Sequence, residues 1–295
     1  MFSRLLKYEF KSQLWLIALL SGIVLVVGAL GCGVIHLLRQ LLIEKGFHGL
    51  FVSNNGVFLS DFNLDSPLTM LALLSMPASI WLVIAAAVYA VAIRILVLYR
   101  FYRRLFTDEG YLTFTLPVTT HQILLSGFVS MSVWTLLAAL IALLTGGLVL
   151  SSMFSMMNVL TGMNDINMLE DIAQELQWIF MGNGDVLAIQ IISIVASFLA
   201  GIIQPMVSLA LGSIVAKKNK LLAGIGIYFG INMVVSAVSG IVNVIAVLGD
   251  ELIAYNTGNY TATLTILLPA LVSLAFAIGG YFLTHYLLDK KLNLP

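Results

Sequence analysis

Charge is scarce in this sequence. Asp, Glu, Lys and Arg make up only 9% of its 295 residues, where ordinary globular chains carry about a quarter. With 60% hydrophobic residues and a mean hydropathy of +1.05, lipid is the expected solvent for most of the chain. Cysteine is almost missing too. A lone Cys32 excludes an internal disulfide, and a single thiol inside an apolar run reads as packing. The four histidines, His36, His48, His121 and His285, are scattered near the ends of apolar runs, and no Cys/His cluster has metal-ligand spacing. No metal is therefore expected. The G-x-x-x-x-G-K-S/T phosphate loop is absent, so this chain is not expected to bind ATP by that route. H-E-x-x-H and G-x-S-x-G are absent as well, and no convergent polar set can be assembled at depth. The chain is not expected to be an enzyme by itself. The opening "MFSRLLKYEFKSQ" lacks the short apolar run and small-residue cleavage site of a removable signal, so the first apolar block is expected to stay as an anchor. No internal repeat, low-complexity run or Pro-rich linker divides the sequence, and residues 1–295 read as one membrane domain.

Six long apolar runs are present. A helix crossing roughly 30 Å of hydrocarbon needs about 20 residues, and the runs at about 14–38, 70–99, 122–151, 186–216, 221–249 and 262–288 qualify. Isolated strands are excluded, because each backbone amide in lipid must be satisfied within its own segment. The expected fold is an all-α membrane protein with six transmembrane helices. Placing the N-terminus, the loops near 100–121 and 217–220, and the C-terminus on one side gathers there 12 of the 14 basic residues. Only Arg39 and Lys45 lie opposite. The positive-inside rule makes both termini cytoplasmic. Ten of the 14 acids fall on the outer side.

Three segments between the runs have patterns of their own. In residues 2–13, Phe2, Leu5, Leu6 and Phe10 share one face and Arg4, Lys7 and Lys11 another, which predicts an amphipathic interface helix before the first span. In the outer loop 39–69, "NNG" flanked by Phe and Val predicts a short hairpin or cap. In the second outer loop, Ile166, Leu169, Ile172, Ala173, Leu176 and Ile179 recur at helical steps opposite Asp165, Glu170, Asp171 and Glu175. That predicts an outer-face helix over about 164–181, its acids spaced as a solvated face.

The spans hold almost no charge. Arg94 lies near the inner end of the second, where its stem can snorkel. An ion-coupled carrier usually commits an ionisable residue to mid-membrane. The uncharged candidates for a pathway are Gln190, Gln204, Asn232 and Asn243, with interhelical hydrogen bonding as the alternative reading for each. Gln204–Pro205 predicts a kink in the fourth span, and "GIGIYFG" at 224–230 offers small residues for close helix contact.

Most of the specific polarity sits in "RRLFTDEGYLTFTLPV" at 103–118. Thr107 can cap a short helix whose first turn holds Asp108 and Glu109. Gly110 permits a break, Pro117 stops the run, and Thr119–Thr120 can cap the third span. Tyr111, Leu112 and Phe114 beside two acids form a surface suited to protein docking, with an interfacial turn as the alternative.

The stretch 105–125, "LFTDEGYLTFTLPVTTHQILL", resembles the permease subunits of type-2 ABC transporters, the six-span exporter family common in Gram-positive bacteria. Members often carry a phrase of this kind between spans 2 and 3, and "LLKYEFK" at 5–11 is similar to their N-terminal interface helix. The chain departs from the pattern at Gly127, where a basic residue often stands. The resemblance implies a cytoplasmic coupling helix between spans 2 and 3, docked on a separate ATPase through Thr107, Asp108, Glu109, Gly110, Tyr111 and Leu112. Lys217, Lys218 and Lys220 correspond in position to a second docking loop. It also implies two ATPase subunits carrying ATP and Mg, and a second permease, identical or different. The setting implied is membrane lipid in a bacterial cytoplasmic membrane, and spans without buried charge predict an amphipathic or hydrophobic cargo: a lipid, an antimicrobial peptide or a drug. No cofactor on this chain and no nucleic acid are implied. An ion-coupled secondary transporter, or a non-transporting scaffold or sensor subunit, are the other classes the residues allow.

Overall fold

The computed structural model describes residues 2–44, 67–107, 110, 119–161, 174, 184–216, 219–257 and 263–290. Among them the chain is all helix, without strands. Six long helices follow in order: α1 (Phe2–Glu44), α2 (Pro67–Phe106), α3 (Thr120–Thr161), α4 (Gly184–Val215), α5 (Lys220–Thr257) and α6 (Thr263–Lys290). Each is long and apolar enough to cross a membrane, and each contains one of the six apolar runs.

The helices extend past those runs. Hydropathy marks where lipid contact ends, whereas a helix continues until its backbone is capped or broken. The expected interface helix over 2–13 is therefore not a separate element. It continues into the first span as one helix of 43 residues, because no glycine or proline occurs before Gly22. Pro77, Pro205 and Pro269 all lie inside helices, and α4 runs on through Pro205. Many buried hydroxyls are satisfied locally. Ser75, Ser126, Ser208, Ser213 and Thr284 each donate to a carbonyl three or four residues back, at 2.6–2.9 Å. Such hydroxyls cost little in apolar surroundings.

The chain divides into two compact units. The first comprises residues 1–12, 95–133 and 178–295; the second comprises 13–94 and 134–177. In the first, α4, α5 and α6 pack on one another. Its core contains Ile203, Val207 and Ala277, joined by Phe128, Leu199 and Tyr281. Two close approaches fix this packing. A Cβ at Gly280 would lie 2.7 Å from Ile203, and one at Gly212 would run into the backbone of Gly224. The "GIGIYFG" segment therefore provides one contact residue, Gly224. Gly226 and Gly230 face open space, and the partner, Gly212, lies outside the segment. The second unit is centred on Ile35, Leu42, Ala72, Met156 and Leu160. There the Ser21 and Tyr89 hydroxyls meet at 2.6 Å between α1 and α2.

Candidate functional site

The end of α2 and the start of α3 flank the polar stretch singled out above, and both ends are anchored within the first unit. Arg104, in the last turn of α2, forms an ion pair with Glu9 of α1. The two side chains are only 20% and 13% exposed. Phe101, Leu105 and Phe106 bury the same turn, and the Phe101 and Phe106 rings meet edge to face at 6.2 Å. Thr107 closes the helix, its hydroxyl donating to the Arg103 carbonyl. The Thr107 carbonyl accepts the amide of buried Gly110 at 2.8 Å.

α3 begins at a cap. The Gln122 amide donates to the Thr119 carbonyl at 2.9 Å and meets its hydroxyl at 3.4 Å, the arrangement expected of a threonine before a first turn. Three further contacts join this turn to α6. The Thr120 hydroxyl lies 3.4 Å from Asp289, His121 Nδ1 lies 2.8 Å from the Tyr281 hydroxyl, and the His121 and His285 rings are 6.0 Å apart. These histidines act as interfacial hydrogen-bonding and stacking groups. Among the described residues no three His, Cys, Asp or Glu side chains are grouped to hold a metal.

Glycine at position 127 has a physical reason. It is buried, and a Cβ there would sit 3.0 Å from two ring atoms of Phe101. The aromatic end of α2 occupies the space that a long basic side chain would need.

Asp108, Glu109, Tyr111 and Leu112 lie outside the described residues, as do Lys217 and Lys218, the "NNG" hairpin or cap expected in the loop 39–69 and nearly all of the acidic helix expected over 164–181; the ends of that first loop, 39–44 and 67–69, belong to α1 and α2. Lys220 is the first residue of α5 and is half-buried. The four pathway candidates do not converge. Gln204 is buried on α4 and donates to Asn232 of α5 at 3.3 Å, an interhelical bond. Gln190 and Asn243 are exposed on α4 and α5.

Compared with known proteins, the chain matches no family model, no curated protein and no solved structure. The reading of the site therefore rests on its residues.

Two features went unseen in the sequence. The Glu9–Arg104 pair joins residues from separate helices, and no local spacing announces it. Asp250 is the other. It is fully buried near the end of α5 and accepts the Leu264 amide at 3.0 Å, the Thr265 amide at 2.9 Å and the Thr265 hydroxyl at 2.7 Å. It caps α6 from the neighbouring helix, giving a carboxylate to the positive end of the helix dipole. An acid directly after an apolar run, with threonines ahead of the next run, was the available signal.

Proposed function

We propose that this chain is the permease subunit of an ABC exporter, moving an amphipathic or hydrophobic substrate across a bacterial cytoplasmic membrane with energy from ATP hydrolysed, with Mg, by a separate subunit. The observation that carries the reading is the phrase at 105–125 held between two anchored helix ends. α2 is tied at Arg104 and packed by Phe101 and Phe106, while α3 is capped by Thr119 and joined to α6 through His121. A push on the connector between these two fixed ends would be felt by both helices. Asp108 and Glu109 supply the charged face of the docking knob, and Tyr111 and Leu112 its apolar contacts. Closure of two ATPase subunits around nucleotide would carry the knob with them, and the helices it joins would tilt. Two permease bundles, identical or not, would line the pathway. The low charge of the six apolar runs supports amphipathic cargo over ionic cargo.

The test is co-purification with a separate ABC ATPase, followed by its hydrolysis rate in the complex. Glu109→Lys and Tyr111→Ala should each reduce complex recovery or hydrolysis by about tenfold, the effect of losing roughly 1.4 kcal/mol at the contact. Unchanged assembly and hydrolysis in both variants would remove the docking reading. Cargo transport by the purified chain alone, driven by an ion gradient, would replace it with a secondary carrier.

A further inference from the structure

We propose that α4 and α5 form a groove that binds the uncharged, hydroxyl-bearing headgroup of a lipid. The inference concerns binding by this chain alone and does not need the permease reading.

The first observation is register. Gly212 of α4 meets the backbone of Gly224 of α5, and Gln204 donates to Asn232 at 3.3 Å. The two contacts are equally far apart on both helices but in opposite directions, so α4 and α5 run antiparallel and in step. Continuing at that step past the Gln204–Asn232 bond brings Ser197 level with Ser239, and then Ser193 level with Asn243. Steps of seven and eleven residues return to within about 20° of the same helix face. Each helix therefore carries a polar stripe on the face that the Gln204–Asn232 bond turns toward the other.

The second observation is opening. Gln204, Ser208 and Gly212 are buried at the joined end. Asn232 is itself exposed and marks where the seam begins to open. Farther along, Ser193 and Ser239 are half-buried, and Ser197 and Asn243 are exposed. The seam is thus closed near Gly212 and accessible over about 16 Å from Asn232 to Asn243, at 1.5 Å per residue.

The third observation is chemical setting. On α5 the nearest charged residues are Lys220 and Asp250, about 18 Å and 27 Å from Asn232 along the axis. On α4 residues 186–215 carry no charge. The stripes therefore run through the lengths that cross hydrocarbon, where water is scarce and an amide or hydroxyl left open is costly. A molecule with acyl chains reaches such a groove from the lipid beside it. Amides and hydroxyls both donate and accept, which suits the hydroxyls of an uncharged headgroup. An ionic headgroup would find no opposite charge there to offset its desolvation.

The experiment is native mass spectrometry of the full chain in detergent, titrated with glucosyl-diacylglycerol, with diacylglycerol or phosphatidylglycerol of the same acyl chains, or with free glucose as competitor. Wild type should retain the glucosyl lipid and discriminate against the other two lipids. Asn243→Leu should bind the glucosyl lipid about tenfold more weakly, which corresponds to 1.4 kcal/mol. Ser197→Leu, on the other helix, should bind it about threefold more weakly, and it carries the test if the first variant does not fold. Val234→Ala changes an exposed residue on the opposite side of α5 and should bind like wild type. Equal binding by wild type and both leucine variants would overturn the proposal, as would an equal loss in Val234→Ala. Equal retention of diacylglycerol or phosphatidylglycerol by wild type would overturn it too, because the headgroup would then not be what is recognised. Competition by glucose at matched concentration would assign the groove to a soluble sugar. A dimer that Asn243→Leu dissociates, with no lipid retained by wild type, would assign it to a second copy. Either result overturns the lipid reading.

Discussion

Gly127 and Asp250 illustrate how single residues constrain this chain. Gly127 is glycine because Phe101 fills the space beside it. Gly127→Lys, which restores the residue type common in the resembling family, is expected to destabilise the chain by about 1–3 kcal/mol through overpacking. Thermal unfolding in detergent would show the loss, and adding Phe101→Ala should recover part of it. If Gly127→Lys unfolds like wild type, the two positions are not in contact. Asp250 acts through its charge and through geometry. Asp250→Asn keeps the shape but replaces one acceptor oxygen by a donor facing backbone amides, at an expected cost of about 1–3 kcal/mol. Amide hydrogen exchange should locate that loss in the first turn of α6, at Leu264 and Thr265. Uniform loosening of the whole chain would instead identify Asp250 as a general core residue.

The Glu9–Arg104 pair belongs to the scale of elements, since it fixes the start of α1 to the end of α2. Each single neutral variant, Glu9→Gln or Arg104→Gln, removes one partner of a mostly enclosed pair and should cost about 1–3 kcal/mol, less than a fully enclosed pair would. The double variant should cost less than the sum, with a coupling of about 1 kcal/mol in a denaturant-unfolding cycle. Strict additivity would show that the pair contributes nothing as a pair. The same comparison explains what could be read from the sequence. Six helices were legible because lipid imposes long uninterrupted apolar runs, and the Thr119 cap because its signal is local. The helix ends were less legible. α1 reaches Phe2 and α3 reaches Thr161, since polar residues at a headgroup layer do not stop a helix. Contacts such as Glu9 with Arg104, Asp250 with Thr265 and Gly212 with Gly224 were not legible. They depend on which helices become neighbours, and no periodicity within one segment encodes that.

For the molecule as a whole, the distribution of basic residues makes one demand. The positive-inside rule predicts that both termini lie on the Lys- and Arg-rich side, in the cytoplasm. A fluorescent protein fused after Pro295 should therefore fluoresce in cells. Alkaline phosphatase fused at the same point should be inactive, and fused within the loop after α3 it should be active. The reverse pattern would invert the topology and detach the proposed docking face from the ATP-containing compartment. The six helices also differ in how much protein surrounds them. Only 6% of the most apolar stretch of α5 is buried, against 17–28% in the other five.

α5 is nonetheless fastened at both ends. Near its start, Gly224 sits where a Cβ would come within 2.9 Å of Leu209. Near its finish, the Asp250 carboxylate grips the beginning of α6. A rod secured near its tips and only sparsely covered between them, with Asn232 meeting Gln204 on the way, resists sliding and spinning. Acyl chains alongside would thus meet a largely constant flank of α5, one that exposes Asn243.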